Sequence, residues 1–577
     1  MKTSCSPSLG RTARIAAFLS LAAAAVAFSQ VVVAPTTPQI GSSNPVTAAP
    51  LVPRPNTKPC VVQLFNNLAF ADYNLKSFSY TPPAACPGPW AKVVFTADFT
   101  VSAGTQFDRT AAFYLGHANI YYGTTAEPRS NLSPSWHVEH DVTDLTSIFL
   151  SPQTGEANLG NFVGVYNGTD YNGVIYANAA LEFYPISWKN PAPLTPDVVV
   201  PVNGTGGDAG TLNTGTDTIS QTLNLPTNVE RVYLDVIAQS QINDEFWYFC
   251  VPNDQTSNLE SCGNTAFRET EIWIDGKPAG VAPVYPWIFT GGIDPFLWEP
   301  IPGIQTLDFK PYRVDLTPFA GVLSDGGTHT VAVSVYNANS YFLATGNLLV
   351  FEDHGAKKVT GGIMTNTLTE PNPVVSENIV ANANSTYTGT VTVGSNRSFT
   401  ISGWVNTSHG RVETTVDQRV DFLSRQEFDV DPVTSSPDIQ NAQQTSTLDS
   451  TVTTRGGWFA GIVHKRFSYP LNIDFSYMVN ADGSLTQTTT VDQQDLVQTQ
   501  DYPAWGRASS SDLAEHVNAT DTLEVNAAGV LLPPSGHTTE SYRLHDPSHG
   551  CYDRTITAEN QVLVSVRNGP GCENNQQ

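Results

Sequence analysis

Asp244 and Glu245 run directly into Phe246-Trp247-Tyr248-Phe249-Cys250, in a chain where only 14% of residues are charged. Carboxylates hydrogen-bond hydroxyls and flat rings lie on pyranose faces, so this run suits a sugar site. It suits equally well a strand end with an aromatic core beneath it. Three further segments carry chemistry-bearing residues. The first is Phe107-Asp108-Arg109 with Tyr122-Gly123-Thr124-Thr125-Ala126-Glu127-Pro128-Arg129. The second is Phe267-Arg268-Glu269-Thr270-Glu271-Ile272-Trp273, running into Asp275-Gly276. The third is the aromatic stretch from Tyr285 to Pro300, with Gly291-Gly292 at its turn. Paired acids are what hydrolysis of a sugar-linked bond requires, one protonated to assist departure and one ionised to direct water. Close spacing raises one of their pKa values, which suits an acidic optimum. The competing account is that Arg268 pairs with a neighbouring acid on a solvated face. The aromatic stretch would either line a cleft or plug the end of a sandwich, and Trp287 and Trp298 are suited to stacking.

The elements that position these groups read as strands. Alternation recurs in Lys92 to Phe99 and in Thr328 to Tyr336, and the second half of the 242–250 run alternates too. On a strand, Glu269, Glu271 and Trp273 share one face. Short strands broken by Gly, Pro, Asn and Asp turns predict an all-β fold of antiparallel sandwiches. A faint internal repeat supports two copies of one unit. His137 to Thr146 is followed by Val163-Gly164-Val165-Tyr166-Asn167, and Tyr312 to Phe319 by Val331 to Asn337. The expected organisation is a signal peptide over 1–27, a mobile Pro/Thr-rich leader over 28–56, and jelly-roll sandwiches over 57–190 and 191–355. A C-terminal β-rich domain follows over 356–577.

Lys2, Arg11 and Arg14 precede the apolar run Ile15 to Phe28, and Ala25-Val26-Ala27 offers a cleavage pattern. Together they predict export. Six of the seven cysteines remain after cleavage and fall into local pairs: Cys60 with Cys86, Cys250 with Cys262, Cys551 with Cys572. Six cysteines allow 15 connectivities, and nearest-neighbour pairing fits the clustering. A zinc site is disfavoured, since no CxxC occurs. Sequons at Asn131, Asn167, Asn203, Asn384, Asn396, Asn406 and Asn518 fit a glycosylated protein in an extracellular or vacuolar compartment. A net charge of −25 argues against nucleic acid and anionic membranes as partners. His137 and His140 fall on opposite faces of a strand and, with His117, read as surface histidines. No Gly-x-Ser-x-Gly elbow is present.

At these segments the chain resembles the peptide-N4-(N-acetyl-β-glucosaminyl)asparagine amidase A family, the acidic glycoamidases of plants and fungi. The matching runs are Gly123 to Arg129, Asn243 to Tyr248, Phe267-Arg268-Glu269 with Asp275-Gly276, and Thr290-Gly291-Gly292-Ile293 through Leu297-Trp298. The resemblance implies hydrolysis of the amide joining asparagine to the first N-acetylglucosamine of an N-glycan, with no cofactor. Glycosylated peptides or glycoproteins would be the substrates. Glu245 and Glu269 are the expected central pair, with Asp244, Asp108 and Glu127 as further acids. Arg109, Arg129 and Arg268 would orient carboxylates or hold the peptide carbonyl, while Trp247 and Trp298 stack on the chitobiose core. The alternatives are a non-catalytic carbohydrate-binding β-sandwich protein and a glycosidase.

Overall fold

The computed structural model describes residues 35–431, 438–457, 459–546 and 550–569. The expected signal peptide lies outside the described residues. The first sandwich contains β1 (Cys60–Phe70), β2 (Lys76–Tyr80), β3 (Trp90–Val101), β4 (Thr110–Leu115), β5 (Ala118–Thr124), β6 (Ser135–Asp141), β7 (Gln153–Asn158), the small hairpin β8 (Gly164–Tyr166) and β9 (Thr169–Tyr171), and β10 (Ile175–Pro185). Along β3, Val93, Phe95, Ala97 and Phe99 point into the core while Thr96 and Asp98 keep partial exposure, the two-residue period expected of a strand. Phe99 stacks on Trp136 with centroids 5.2 Å apart, and Phe113 and Tyr121 join them from the facing sheet.

The second sandwich contains β11 (Val198–Val202), β12 (Gly210–Thr214), β13 (Ile219–Leu223), β14 (Val229–Ser240), β15 (Glu269–Ile274), β16 (Lys277–Pro283), β17 (Tyr312–Asp315), β18 (His329–Tyr336) and β19 (Asn339–Glu352). The first sandwich pairs its strands as β1-β10-β3-β6 and β2-β7-β4-β5. The second pairs them as β11-β19-β14-β17, with β12 also on β19, and β13-β18-β15-β16. With the β8–β9 hairpin and β12 set aside, the two orders coincide strand for strand. The loop before β4 therefore corresponds to the loop before β15, and the loop after β5 to the loop after β16.

Beyond Thr360 the remaining strands join one 11-stranded antiparallel sheet. One face of it covers the second sandwich. Gln493 donates to the Pro286 carbonyl at 2.8 Å and accepts from the Ile304 amide at 2.9 Å. Phe422 packs on Trp247 and Phe267, and Tyr469 on Tyr285. Glutamine side chains thus satisfy loop backbone groups that a purely apolar face would strand. Among the described residues, no helix is long and apolar enough to cross a membrane.

The expectation of a mobile leader is corrected for residues 35–56. The Val46 amide donates to the Pro300 carbonyl at 2.9 Å, and Tyr552 donates to the Ala48 carbonyl at 2.9 Å. Arg54 bridges Glu139 and Glu182 at 2.6 and 3.1 Å. These partners lie from 85 to 504 residues away, so composition could not reveal them.

Cys60–Cys86 and Cys250–Cys262 are disulfide-bonded, as is Cys551, whereas Cys572 lies outside the described residues. Among the sequons, Asn131, Asn167, Asn396 and Asn406 are exposed and Asn518 half-buried. The Asn384 side chain is not among the described ones. Asn203 departs from expectation. It is 6% exposed and donates to the His117 and Gly207 carbonyls at 2.7 and 2.9 Å, while its oxygen accepts from Thr345. A glycan on that nitrogen is incompatible with this packing. His137 and His140 are also half-buried rather than on the surface. Each is engaged by acids, His137 by Asp98 and Glu139 and His140 by Asp308.

Candidate active site

The corresponding loops of the two sandwiches meet. Asp108 ends the loop before β4, and Glu127 lies in the loop after β5. Glu245 lies in the loop before β15, and Gly291 in the loop after β16. The Gly291 amide donates to Asp108 Oδ2 at 2.9 Å, and the Asp108 amide donates to Glu127 Oε2 at 3.2 Å. Beside them Thr290 donates to the Thr125 carbonyl at 2.7 Å, and the Arg109 amide donates to Thr125 Oγ1 at 2.9 Å. The Thr124 amide reaches the Thr306 carbonyl at 2.9 Å. The bonds from Gly291, Thr290 and Thr124 stitch the first sandwich to the second beside the acids, while those from Asp108 and Arg109 fix the first sandwich's own loops.

All three residues are half-buried. Burial, and next the charge of Asp108, push Glu127 up to about 8 and Glu245 up to about 7. Burial also raises Asp108, against the pull of the Gly291 amide and the Arg109 charge. Asp108 is the charge both glutamates feel. The two glutamates thus hold protons into the neutral range beside a third carboxyl, an arrangement that can supply an acid and a base together.

The 242–250 run is not a strand. Two 3₁₀ turns, Ile242–Asp244 and Trp247–Phe249, are closed by the Asp244 amide on the Gln241 carbonyl at 2.9 Å and the Phe249 amide on the Phe246 carbonyl at 2.8 Å. The turns divide the adjacent acids. Glu245 faces the seam. Asp244 faces inward, where its fully buried carboxylate accepts from Arg268 at 2.8 and 2.9 Å and from the Asn339 amide at 2.6 Å. Arg268 also donates to the Thr265 and Phe267 carbonyls at 2.8 and 2.9 Å. This pair pins the long loop onto the turn between β18 and β19, and it is buried rather than on a solvated face.

Other expected residues take different places. Glu269, at the start of β15, is buried and ion-paired with Arg397 of the C-terminal sheet, beside Glu271. It does not join the cluster of Asp108, Glu127 and Glu245. Arg129 forms a two-pronged pair with Glu299 at 2.8 and 3.3 Å. Trp247 and Trp298 are core residues, which corrects the expectation that they stack on sugar. Trp247 packs against Tyr248 and Phe422, and Trp298 donates its Nε1 to the Gly292 carbonyl at 2.9 Å. They shape the site from behind. Trp287 is likewise buried, stacked on Phe309 with centroids 4.3 Å apart. The contributions of Thr125 and Thr290 were not evident in the sequence, although both lie inside runs singled out for their aromatics and acids.

Among the described residues, no group of three or more His, Cys, Asp and Glu side chains is arranged to hold a metal ion. The fold and the cluster define an all-β protein with an acidic site at the seam of two like sandwiches. Residues 50–369 match the family described as peptide N-acetyl-β-D-glucosaminyl asparaginase amidase A, and the chain belongs to that family. It is 27% identical over 549 residues to the peptide-N4-(N-acetyl-β-glucosaminyl)asparagine amidase A of Prunus dulcis, covering 90% of this chain and 91% of that one. A recombinant peptide:N-glycanase F superposes with a TM-score of 0.34 at 15% identity, over 51% of this chain and 96% of that chain. A glycosylasparaginase of Flavobacterium meningosepticum, also PNGase F, gives 0.34 at 16% identity over the same shares. Scores that low bear on neither the fold nor the site.

Proposed function

We propose that this chain is a secreted amidase that hydrolyses the bond between an asparagine side chain and the first N-acetylglucosamine of an N-glycan on glycopeptides. The products would be an aspartyl peptide and a glycosylamine that then loses ammonia. The observation that carries this reading is the cluster of Asp108, Glu127 and Glu245 within the family-matching residues. Asp108, held by the Gly291 amide and facing both glutamates, acts as the base and takes a proton from water as the water oxygen adds to the amide carbon. Glu245, protonated up to about 7, delivers a proton to the departing glycosylamine nitrogen as the C–N bond breaks. Glu127, protonated up to about 8, donates a hydrogen bond to the amide oxygen as charge builds there. Arg109 lends positive charge beside Asp108.

The same reading takes the two like sandwiches as jelly rolls over 57–190 and 191–355, with the sheet of 356–577 as a third domain bracing the long loops. It also takes the exposed sequons as glycan carriers in an oxidising, acidic extracellular or vacuolar compartment. Mass spectrometry of a treated glycopeptide tests the activity. Amidase action leaves aspartate in place of asparagine. Sugar retained on asparagine would mean a glycosidase, and an unchanged glycopeptide a binding protein; either outcome rejects the reading.

A further inference from the structure

The two sandwiches differ most in the connection between their seventh and eighth strands. In the second, β18 passes to β19 through Asn337 and Ala338 alone. In the first, the corresponding connection is residues 159–174 and contains the β8–β9 hairpin. This insertion is docked on the loop that carries Asp108. The Gly173 amide donates to the Thr105 carbonyl at 3.0 Å, and the Thr105 amide to Asn172 Oδ1 at 2.9 Å. Fully buried Asn161 donates to the Phe70 and Gly173 carbonyls, both at 3.1 Å, and accepts from Arg109 Nε at 3.4 Å. The base of the insertion is thus held as firmly as core.

Its outer side is not covered. Val165 is 71% exposed, Tyr166 62% and Phe107 42%. The rings nevertheless form a continuous track: Phe107 to Tyr171 at 5.4 Å, Tyr171 to Phe162 at 5.8 Å, and Phe162 to Tyr166 at 6.5 Å between centroids. The track begins at the residue next to Asp108 and ends at the hairpin tip. Arg109 lies over the first ring at 5.7 Å. Exposed rings on a well-anchored support mark a contact surface. The segment's composition indicates what it contacts. Asp170 is its single charge, and Asn167 and Thr169 lie between Tyr166 and Tyr171 along the chain. Neutral hydrogen-bonding groups among flat rings match the alternating hydroxyl edges and C–H faces of uncharged sugars.

We propose that this aromatic track, Phe107-Tyr171-Phe162-Tyr166, is a subsite for the sugars of the substrate glycan beyond the first N-acetylglucosamine. The assignment rests on the amidase reading above, because the substrate is what places sugar beside Asp108. The same rings could instead cover a glycan on the chain's own Asn167, at the hairpin tip. The experiment therefore uses the full chain in an Asn167→Gln background.

Two glycopeptides of one peptide sequence are compared, one with an extended neutral glycan and one trimmed to a single N-acetylglucosamine. Tyr166→Ala/Tyr171→Ala should lower kcat/KM for the extended substrate about tenfold relative to the trimmed one, mainly through KM. Tyr166→Trp should preserve the ratio. Equal losses on both substrates would place the rings against peptide or in the fold, and no loss would make them idle; either result overturns the proposal. Titration with the free oligosaccharide separates this proposal from the amidase reading. If the Asn167→Gln parent cleaves neither substrate but binds the oligosaccharide, and the double variant binds it about tenfold more weakly, the subsite stands and the amidase reading fails. If the parent binds no oligosaccharide and shows no preference for the extended substrate, the subsite fails.

Discussion

The backbone amide of Gly291 donates to Asp108 Oδ2 at 2.9 Å, joining positions 183 residues apart. This bond fixes one carboxylate oxygen from the opposite sandwich. A Cβ on Gly291 would lie 2.1 Å from Glu127 Oε2 and 3.3 Å from Asp108 Cγ. The glycine is needed for close approach, and the same absence of a side chain lets two acids share one backbone donor's surroundings.

Gly291→Ala should therefore damage catalysis out of proportion to stability. The added methyl would push Glu127 away from Asp108, and displacements of about 1 Å at reacting groups cost about 100-fold in rate. Steady-state kinetics alongside a thermal melt checks this. A variant with normal turnover would mean that the spacing of Asp108 and Glu127 does not matter to the reaction.

Glu245 and Glu269 should separate cleanly. Glu245→Gln removes a proton donor and should lower kcat by about 100- to 10,000-fold with little change in melting temperature. Glu269→Gln leaves Arg397 without its ionic partner, so its main effect should be on the docking of the C-terminal sheet, a loss of about 1–3 kcal/mol. Chemical denaturation and turnover of both variants decide the matter. A kcat loss in Glu269→Gln as deep as that in Glu245→Gln would restore the pairing expected from the sequence.

The contrast shows what the sequence could carry. Period-two alternation made the sandwiches legible, because strands announce themselves locally. The repeat held only in its first half. His137 to Thr146 and Tyr312 to Phe319 include residues of the corresponding strands β6 and β17, but Val163 to Asn167 falls in the β8–β9 hairpin, which has no counterpart, while Val331 to Asn337 falls in β18, the counterpart of β7. Which acids converge depended instead on the turns inside 242–250. A strand would also send Asp244 and Glu245 to opposite faces; what the 3₁₀ turns decide is that Asp244 is the one buried against Arg268 and Glu245 the one left at the seam. Asp108, Glu127 and Gly291 all lie in singled-out runs, but the bond from Gly291 to Asp108 depends on corresponding loops of the two sandwiches meeting, which no local pattern encodes. The buried tryptophans misled for a related reason. A large ring flanked by acids reads alike whether it faces a ligand or backs the loop that does.

The Asp244–Arg268 pair should act as a unit. Asp244→Asn or Arg268→Met alone would strand a buried charge, with an expected cost of about 3–5 kcal/mol. The double substitution should cost less than the sum of the two, because neither charge then remains. Urea denaturation of the two single variants and the double measures the coupling. Strict additivity would show that the loop does not depend on this pair.

The last prediction concerns pH, and its origin is the face of the C-terminal sheet turned toward the loops. Glu515 and Glu540 lie on neighbouring strands there, both buried, with Asp495 nearby. Burial first, and then the charges of Glu540 and Asp495, hold Glu515 well above the usual carboxylate range. Burial lifts Glu540 to about 7 and Asp495 to about 6, the latter against its bond from Gln305 and the charge of Lys310. Asp521, buried against Asp294, rises to about 7. Tyr285 and Tyr542 border the same acids, and both are held neutral by burial. In the unfolded chain these carboxyls titrate near 4, so between about pH 4.5 and 7 the folded protein holds more protons and stability falls as pH rises. Glu139, drawn down to about 2 by His137 and Arg54 despite its burial, works in the opposite sense, but it loses its contribution only as pH falls from about 4.5 toward 2, below this range. The melting temperature should accordingly be higher near pH 5 than near pH 7.5, and Glu540→Gln should flatten the slope by removing one titrating member of the seam. A melting temperature that climbs from pH 5 to pH 7.5 would mean that these acids are ionised in the folded protein and that the sheet is held to the loops by other contacts.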